Sequence, residues 1–399
     1  MIDSDMNIYK GDYKKLDSKE HRARLIAYYL PQFHPIPEND EWWGKGFTEW
    51  TNVAKAKPLF KGHYQPRIPA DLGLYDLRVP ETRIAQAELA QEYGIEGFCY
   101  WHYWFAGKRL LERPFNEVLK SGEPNFPFCL GWANDSWSGI WHGSPDKILM
   151  KQTYPGMQDE EDHFYALLEA FFDKRYITID EKPVFLIYKP YELPEPERFI
   201  GHWNEIAIKS GLKGIYFIGN TQTMDWVPEK DGFDAIVPNN PGLTFREYFD
   251  PLHTFRKRFS PLYNSAYKML KKMTEKSETD FRKYFFYKPS VYLYKDFIKY
   301  ALPELRKDFD GYPCVIPNWD NTPRCGVKGL ILHNSTPELF RIYLRDAIQQ
   351  INHRNPEKRV IFIKSWNEWA EGNYLEPDQK FGKAYLEVCR EEIFLKQSA

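Results

Sequence analysis

Short apolar runs, rich in β-branched and aromatic residues and bounded by turn formers, recur eight times along the chain. They are RLIAYYL (24–30), GIEGFCYWH (94–102), FPFCLGWA (126–133), KPVFLIYK (182–189), GIYFIG (214–219), FDAIVP (233–238), PCVIPNW (313–319) and RVIFIKSW (359–366). Most are unbroken rather than alternating. Alternation suits a sheet with one wet face, whereas an unbroken run suits a parallel strand covered on both faces. Between several of them lie segments with apolar residues at helical spacing: VPETRIAQAELAQEYG, DEEDHFYALLEAFFDKRY, PERFIGHWNEIAIKSG and TPELFRIYLRDAIQQINHR. In the last, Thr336 is the expected N-cap, Pro337 the first helical residue, and Glu338 lies in the first turn. Strand–helix alternation with eight strands predicts an α/β fold, a (β/α)8 TIM barrel, with a doubly wound sheet as the alternative. The rhythm breaks once, where residues 241–310 carry 15 Lys/Arg against nine Asp/Glu, with many Phe and Tyr. That stretch is expected to form an enlarged insertion after strand 6, either a cap or cleft wall or a solvated basic subdomain. The expected barrel domain spans 24–399, preceded by a polar extension over 1–23.

A barrel of this kind carries its active site on the segments that follow the strands. Here those segments are unusual. PQFHPIPENDEWWGKGFTEW follows the first run, YWHYWF ends the second, GWANDSWSGIWHG follows the third, and WNEWAEG follows the eighth. Eleven of the 13 Trp fall in such positions: 42, 43, 50, 101, 104, 132, 137, 141, 319, 366 and 369. Each buried indole must find a partner for its N–H, so core packing alone rarely asks for so many. The remaining composition mostly excludes. A net charge of −2 gives no nucleic-acid signature. No stretch reaches the roughly 18 apolar residues of a membrane span. The five Cys are odd in number with no CxxC pair, which argues against a disulfide framework or zinc site. No HExxH, GxSxG or Gly-rich phosphate turn follows a strand, so neither metal nor cofactor is expected. Asp308–Phe309–Asp310 has the spacing of a transferase metal motif but precedes strand 7, on the structural face. The N-terminus, MIDSDMNIYKGDYKKLDSKEHR, lacks the apolar run of a secretory leader. That places the chain in the cytoplasm if this end is native, and in the periplasm or outside if a leader has been removed.

Trp, His, Asn, Asp and Glu crowded at one mouth suit a sugar. Pyranose C–H faces pack on aromatic rings, and hydroxyls need paired donors and acceptors. Glu368 and Glu371 are the best catalytic candidates: three residues apart on one turn they share a face, between Trp366 and Trp369. Mutual repulsion and apolar walls should raise one pKa, giving one acid and one base. The competing reading is an ordinary helix start with two surface carboxylates. Candidate substrate-binding residues, with their structural alternatives, follow the same rule of position. Tyr28 is a ligand group or a barrel-layer residue. Trp42 and Trp50 stack on sugar or pack the first loop. Glu49, with no cation nearby in sequence, contacts substrate, while His34 fixes the loop. His102, Trp104, Trp132, Asn134, Asp135 and Trp137 cluster after strands 2 and 3. Tyr188, Asn220, Asn318 and Asp320 end later strands, and Trp366, Tyr374 and Glu376 surround the acidic turn. The expected partner is an oligosaccharide or polysaccharide substrate.

These residues also carry a resemblance. AYYLPQFHPIPENDEWWGKGFTEWTNVAKAKPLFKGHYQPRIPADLGLYDLR, EYGIEGFCYWHYWF, FCLGWANDSW and WNEWAEGNYLEPD resemble the WbsX-type proteins, which are related to glycoside hydrolase family 99, over roughly Arg24 to Glu387. The resemblance implies a (β/α)8 barrel and cleavage of α-linked glycans, in family 99 α-mannosidic linkages, with retention. The signature Glu-x-x-Glu-Gly maps onto Glu368, Trp369, Ala370, Glu371 and Gly372. By that resemblance Glu368 is the base on the sugar's own 2-hydroxyl, which attacks the anomeric carbon to give a 1,2-anhydro sugar. Glu371 is the general acid and then the base for water. Family 99 proper has His where this chain has Ala370, a departure that bears on the mannose specificity and not on the two-glutamate chemistry. The alternatives are a glycosyltransferase in surface-polysaccharide synthesis and a non-catalytic glycan-binding protein.

Overall fold

The computed structural model describes residues 21–139, 144–221, 226–238 and 289–394. Parallel strands form where the apolar runs predict them: β1 Arg24–Tyr29, β2 Ile95–Phe105, β3 Phe128–Trp132, β4 Lys182–Ile187, β5 Tyr216–Thr221 and β6 Ala235–Pro238, each paired with the next. β7 comes as two short pieces, Asp310–Gly311 and Cys314–Val315, and β8 spans Val360–Ile363. The ring closes through the break in β7. Its first piece registers on β6, with Asp310 opposite Ala235, and its second on β8, with Val315 opposite Ile363. β8 then returns to β1, from Val360 opposite Arg24 to Ile363 opposite Ala27. A doubly wound sheet has two free edges, so this closure decides for the barrel.

The strands are unbroken apolar runs because both faces are covered. Leu25–Tyr29, Pro183–Ile187 and Val360–Ile363 are buried at every position. Helices Pro80–Glu92, Met157–Phe171, Pro196–Lys209 and Pro337–Ile351 form the outer layer where helical spacing predicts them. The last begins as its sequence requires: Thr336 Oγ1 accepts the Leu339 N–H, Pro337 opens the helix, and Phe340, Tyr343, Leu344, Ala347 and Ile348 turn inward.

Of the expected N-terminal extension, His21–Ala23 pack on the barrel through a bridge from His21 to Phe394, and residues 1–20 lie outside the described residues. Most of the expected 241–310 insertion, residues 241–288, does as well. Its described end adds Ser290–Leu293 as a parallel partner to Leu330–His333 and buries Tyr294 and Phe297 in the core. Among the described residues, no helix is long and apolar enough to cross a membrane.

Candidate active site

The chain leaving β8 folds back on itself at once. Asn367–Glu368 pairs antiparallel with Asn373–Tyr374, and the turn between them, Trp369–Glu371, is a single 3-10 turn. Gly372 closes it at φ +61, where an added Cβ would stand 2.9 Å from the Asp320 backbone nitrogen. Only glycine combines that left-handed conformation with so close an approach. Asn367 fastens the hairpin to the end of β1: its Oδ1 accepts the Leu30 N–H at 2.7 Å and its Nδ2 donates to the Leu30 carbonyl at 3.0 Å. The Trp366 N–H donates to the Tyr28 carbonyl at 2.7 Å.

Beneath the hairpin lies a buried polar knot. Glu376 accepts from Trp369 Nε1 at 2.6 Å, Gln86 Nε2 at 2.6 Å and the Tyr75 hydroxyl at 2.9 Å. Tyr374 stacks on Trp369 at 3.8 Å between ring centroids. Burial pushes the Glu376 carboxyl up to about 7, with those donors opposing the rise. The floor of the acidic turn is therefore fixed by bonded, desolvated groups.

Above that floor a cleft with about 220 Å³ of space opens at the C-terminal ends of the strands. Glu368 and Glu371 both line it, joined by Glu49, the first residue of helix Glu49–Lys55 in the loop after β1. One guanidinium binds all three. Arg324 Nη2 donates to Glu368 Oε1 at 2.7 Å, Nη1 to Glu371 Oε1 at 2.7 Å, and Nε to Glu49 Oε2 at 3.1 Å. The four side chains are nearly buried, between 4% and 13% exposed. Burial pushes Glu368 up to about 8; Arg324 opposes the rise, and Glu371 and Glu49 add to it. The same carboxylates hold Arg324 well above its ordinary value against burial. The pairing is thus favourable to the cation while desolvation still dominates at Glu368. Lys364, at the end of β8, also lines the cleft; burial opposes its charge, but Glu371 and Tyr188 hold its pKa up.

Aromatic rings line the same cleft: Trp43 and Phe47 from the first loop, Trp101 and Tyr103 from β2, Trp137 after β3 and Tyr188 after β4. Burial and then Glu368 raise the Tyr103 phenol, which keeps it a hydrogen-bond donor. Asp135 lines it too and pairs with Lys189 at 2.9 Å.

Of the residues expected at the site, Glu49, Asp135, Trp137, Tyr188, Glu368 and Glu371 come together on this cleft. The others do not line it, and each absence has a packing reason. Tyr28 is a barrel-layer residue, stacked between Trp101 and Phe362. Trp50 is held under the first loop by its Nε1–H bond to the Tyr75 carbonyl and by the Phe33 and Trp369 rings. Trp42 supports the wall from behind, edge-on to Trp137. His102, Trp104 and Trp132 pack around His163 on the outer side of the sheet, with the two imidazoles 2.8 Å apart and driven well below their ordinary pKa by burial. Asn134 ties β3 to β4 through both backbone groups of Lys189. Asn318 and Asp320 look away from the cleft, into a network with Arg67, His63 and Gln65. Asn220 and Trp366 are fully buried, and Tyr374 and Glu376 belong to the knot under the hairpin. His34 fixes its loop as expected, through the Pro31 carbonyl at 2.9 Å. Trp141 lies outside the described residues.

Sequence reasoning missed Arg324, Lys364, Tyr103, Phe47, Gln32 and Asn52 on the cleft, and it counted Trp43 and Trp101 among the post-strand tryptophans without singling them out as contacts. It also left Glu49 without a cation, because Arg324 is 275 residues away along the chain. Position was the usable signal: Arg324 follows β7 within NWDNTPRC, and Lys364 ends β8. Asp308 and Asp310, with metal-motif spacing, are held in ion pairs with Arg306 and with Lys358 and Arg354.

Solved structures share this architecture. The GH99 endo-α-mannosidase from Bacteroides thetaiotaomicron superposes with a TM-score of 0.55 at 15% identity, covering 94% of this chain and 96% of that one. A glycoside hydrolase-like protein superposes with a TM-score of 0.54 at 12% identity, covering 97% and 98%. In sequence, proteins named "Uncharacterized protein WxcX" from two strains of Xanthomonas campestris pv. campestris are 39% and 38% identical over 375 residues, which is 93% of this chain. The chain spans about half the length of these curated relatives. The family model described as Glycosyltransferase WbsX matches residues 25–389, and the chain belongs to the WbsX family.

Proposed function

We propose that the protein is a retaining glycoside hydrolase of α-linked oligosaccharides or polysaccharides. The observation that carries this reading is that Glu368 and Glu371, at the two ends of one tight turn, line the same cleft as Trp43, Trp101, Tyr103, Trp137 and Tyr188. In a double displacement with an enzyme nucleophile the two carboxyls flank the scissile bond. Two acids on one turn suit a different course, in which the sugar is its own nucleophile. Glu368 takes the 2-hydroxyl proton, O2 bonds to the anomeric carbon as the glycosidic bond breaks, and Glu371 protonates the leaving oxygen. Water then opens the 1,2-anhydro ring, giving its proton to Glu371 while Glu368 returns its own to O2. Two inversions at one carbon amount to retention. A carboxylate whose conjugate acid titrates near 8 is a stronger base than an ordinary Glu, which suits a weakly acidic hydroxyl. The cost is that only the ionised fraction reacts.

The test is digestion of a panel of α-linked glycans, α-mannosides first, with the product anomer followed by NMR. Wild type should release the α anomer, and Glu371→Gln should lose about 10²–10⁴-fold in kcat. A β product, or full activity in Glu371→Gln, overturns the mechanism. Transfer from a nucleotide sugar that survives Glu371→Gln would instead support the transferase named in the family description, and binding without turnover in either protein would support a glycan-binding role.

A further inference from the structure

We propose that Arg324 is the positioning residue of this site, a shared counter-ion across which the negative charge passes from Glu368 to Glu371 during bond cleavage. The inference rests on the hydrolase reading above and adds the group that lets two carboxyls on one turn exchange roles.

The geometry is specific. Arg324 does not pair with one carboxylate and approach the other. It places a separate nitrogen on Oε1 of each, both at 2.7 Å, while its Nε is anchored on Glu49 at 3.1 Å. In the reactive form Glu368 is the anion and Glu371 carries the proton, so the proton that burial favours on Glu368 must first be given up. Afterwards the O2 proton is on Glu368, and Glu371 has given its proton to the leaving oxygen. The pair holds one proton and one negative charge throughout, but the charge changes carboxyl. Among side chains this buried, an anion that moved away from its counter-ion would be strongly destabilised. A planar guanidinium with a nitrogen on each acid faces the charge on either side of the step without moving. A lysine ammonium is a point charge on a flexible stem and cannot hold both acids in that fixed fork. Glu49 acts through Arg324, keeping the fork in place; it is an anchor and not a third acid.

Three variants test this: Arg324→Lys, Arg324→Gln and the double change Arg324→Gln with Glu49→Gln. The last removes one of the carboxylates that Arg324→Gln would orphan, so that folding can be retained. The expected result is a loss of about 10²-fold in kcat with KM little changed in Arg324→Lys, a larger loss in Arg324→Gln, and partial recovery of Arg324→Gln by added guanidinium. Full activity in Arg324→Lys overturns the proposal, as does a loss confined to KM. A second readout does not depend on turnover. Carboxyl titration by NMR with ¹³C-labelled Glu should move Glu368 to higher pH in Arg324→Gln than in wild type, and by less in the double variant, since the cation that opposes its protonation is gone in both and the smaller opposite effect of Glu49 is gone only in the second. An unchanged titration overturns the assignment of Arg324. If wild type cleaves no glycan, the hydrolase reading fails, and the titration alone still decides whether this guanidinium governs the pair.

Discussion

Replacing Glu368 by Gln should make the protein more stable at alkaline pH, and by an amount that the site itself sets. Burial lifts the Glu368 carboxyl from an ordinary 4.5 to about 8. Between those values the folded chain keeps a proton that the unfolded chain has lost. Stability therefore falls as pH rises, at about 1.4 kcal/mol per pH unit. This stabilising contribution is whole below about 4.5 and is lost as pH climbs through about 8. Across the window it amounts to roughly 5 kcal/mol, and at pH 8 about 4 kcal/mol of it has gone. The side chain is only 8% exposed, so solvent screening takes little from the figure. Glutamine has the shape of the protonated acid, keeps an oxygen for Arg324 Nη2, and carries no charge to desolvate.

Urea denaturation of wild type and Glu368→Gln from pH 5 to 8.5 measures the effect. Expected is a gap that is small at pH 5 and opens to about 4 kcal/mol in favour of the variant at pH 8. Glu376, also pushed up to about 7, titrates in both proteins and cancels in the difference. The reasoning is refuted if the variant is the less stable protein at pH 8 with a deficit that grows with pH. That outcome would mean that the Arg324 ion pair outweighs desolvation and that Glu368 is ionised across the neutral range. Such a gain alongside lost catalysis is the usual relation between a strained site and its fold.

Four further outcomes follow from the geometry. Gly372→Ala should cost about 1–3 kcal/mol, read by thermal unfolding, because alanine must adopt φ +61 with its Cβ 2.9 Å from the Asp320 nitrogen. Trp369→Phe should cost about 1–3 kcal/mol in the same assay, since it removes the 2.6 Å donor to buried Glu376. Trp132→Ala should destabilise by about 3–5 kcal/mol as a buried ring. Trp137→Ala, on the cleft wall, should instead weaken glycan binding in titration calorimetry more than it lowers the melting temperature.

The barrel was legible because its strands need no partner information: an unbroken apolar run covered on both faces reads the same wherever it lies in the ring. β7 was the exception. Its first piece, Asp310–Gly311, has no apolar signature, since two residues that bridge to β6 make too short a strand to carry one. The acidic turn was legible for a local reason, as Glu368 precedes and Glu371 ends a single 3-10 turn, which keeps the two close whatever surrounds them.

Sidedness was not legible. Tryptophans gather after the strands, yet Trp50, Trp366 and Trp369 lie under the loops, Trp104 and Trp132 pack on the outer side of the sheet, and Trp43, Trp101 and Trp137 lie on the cleft. The difference is which side of a loop each indole takes, and that depends on distant acceptors such as the Tyr75 carbonyl for Trp50 and Asp159 for Trp104. Arg324 was hidden for the same reason. A chain reading pairs charges by sequence distance, whereas the barrel brings the ends of β1, β7 and β8 to one mouth, which is how a guanidinium after β7 comes to hold acids from the other two. Closing the ring thus does chemical as well as structural work: without the pairing of Val315 with Ile363 and of Ile363 with Ala27, nothing would carry Arg324 to Glu49 and Glu371 together. Loosening that seam, even far below the cleft, should disturb the titration of Glu368 before it melts the barrel.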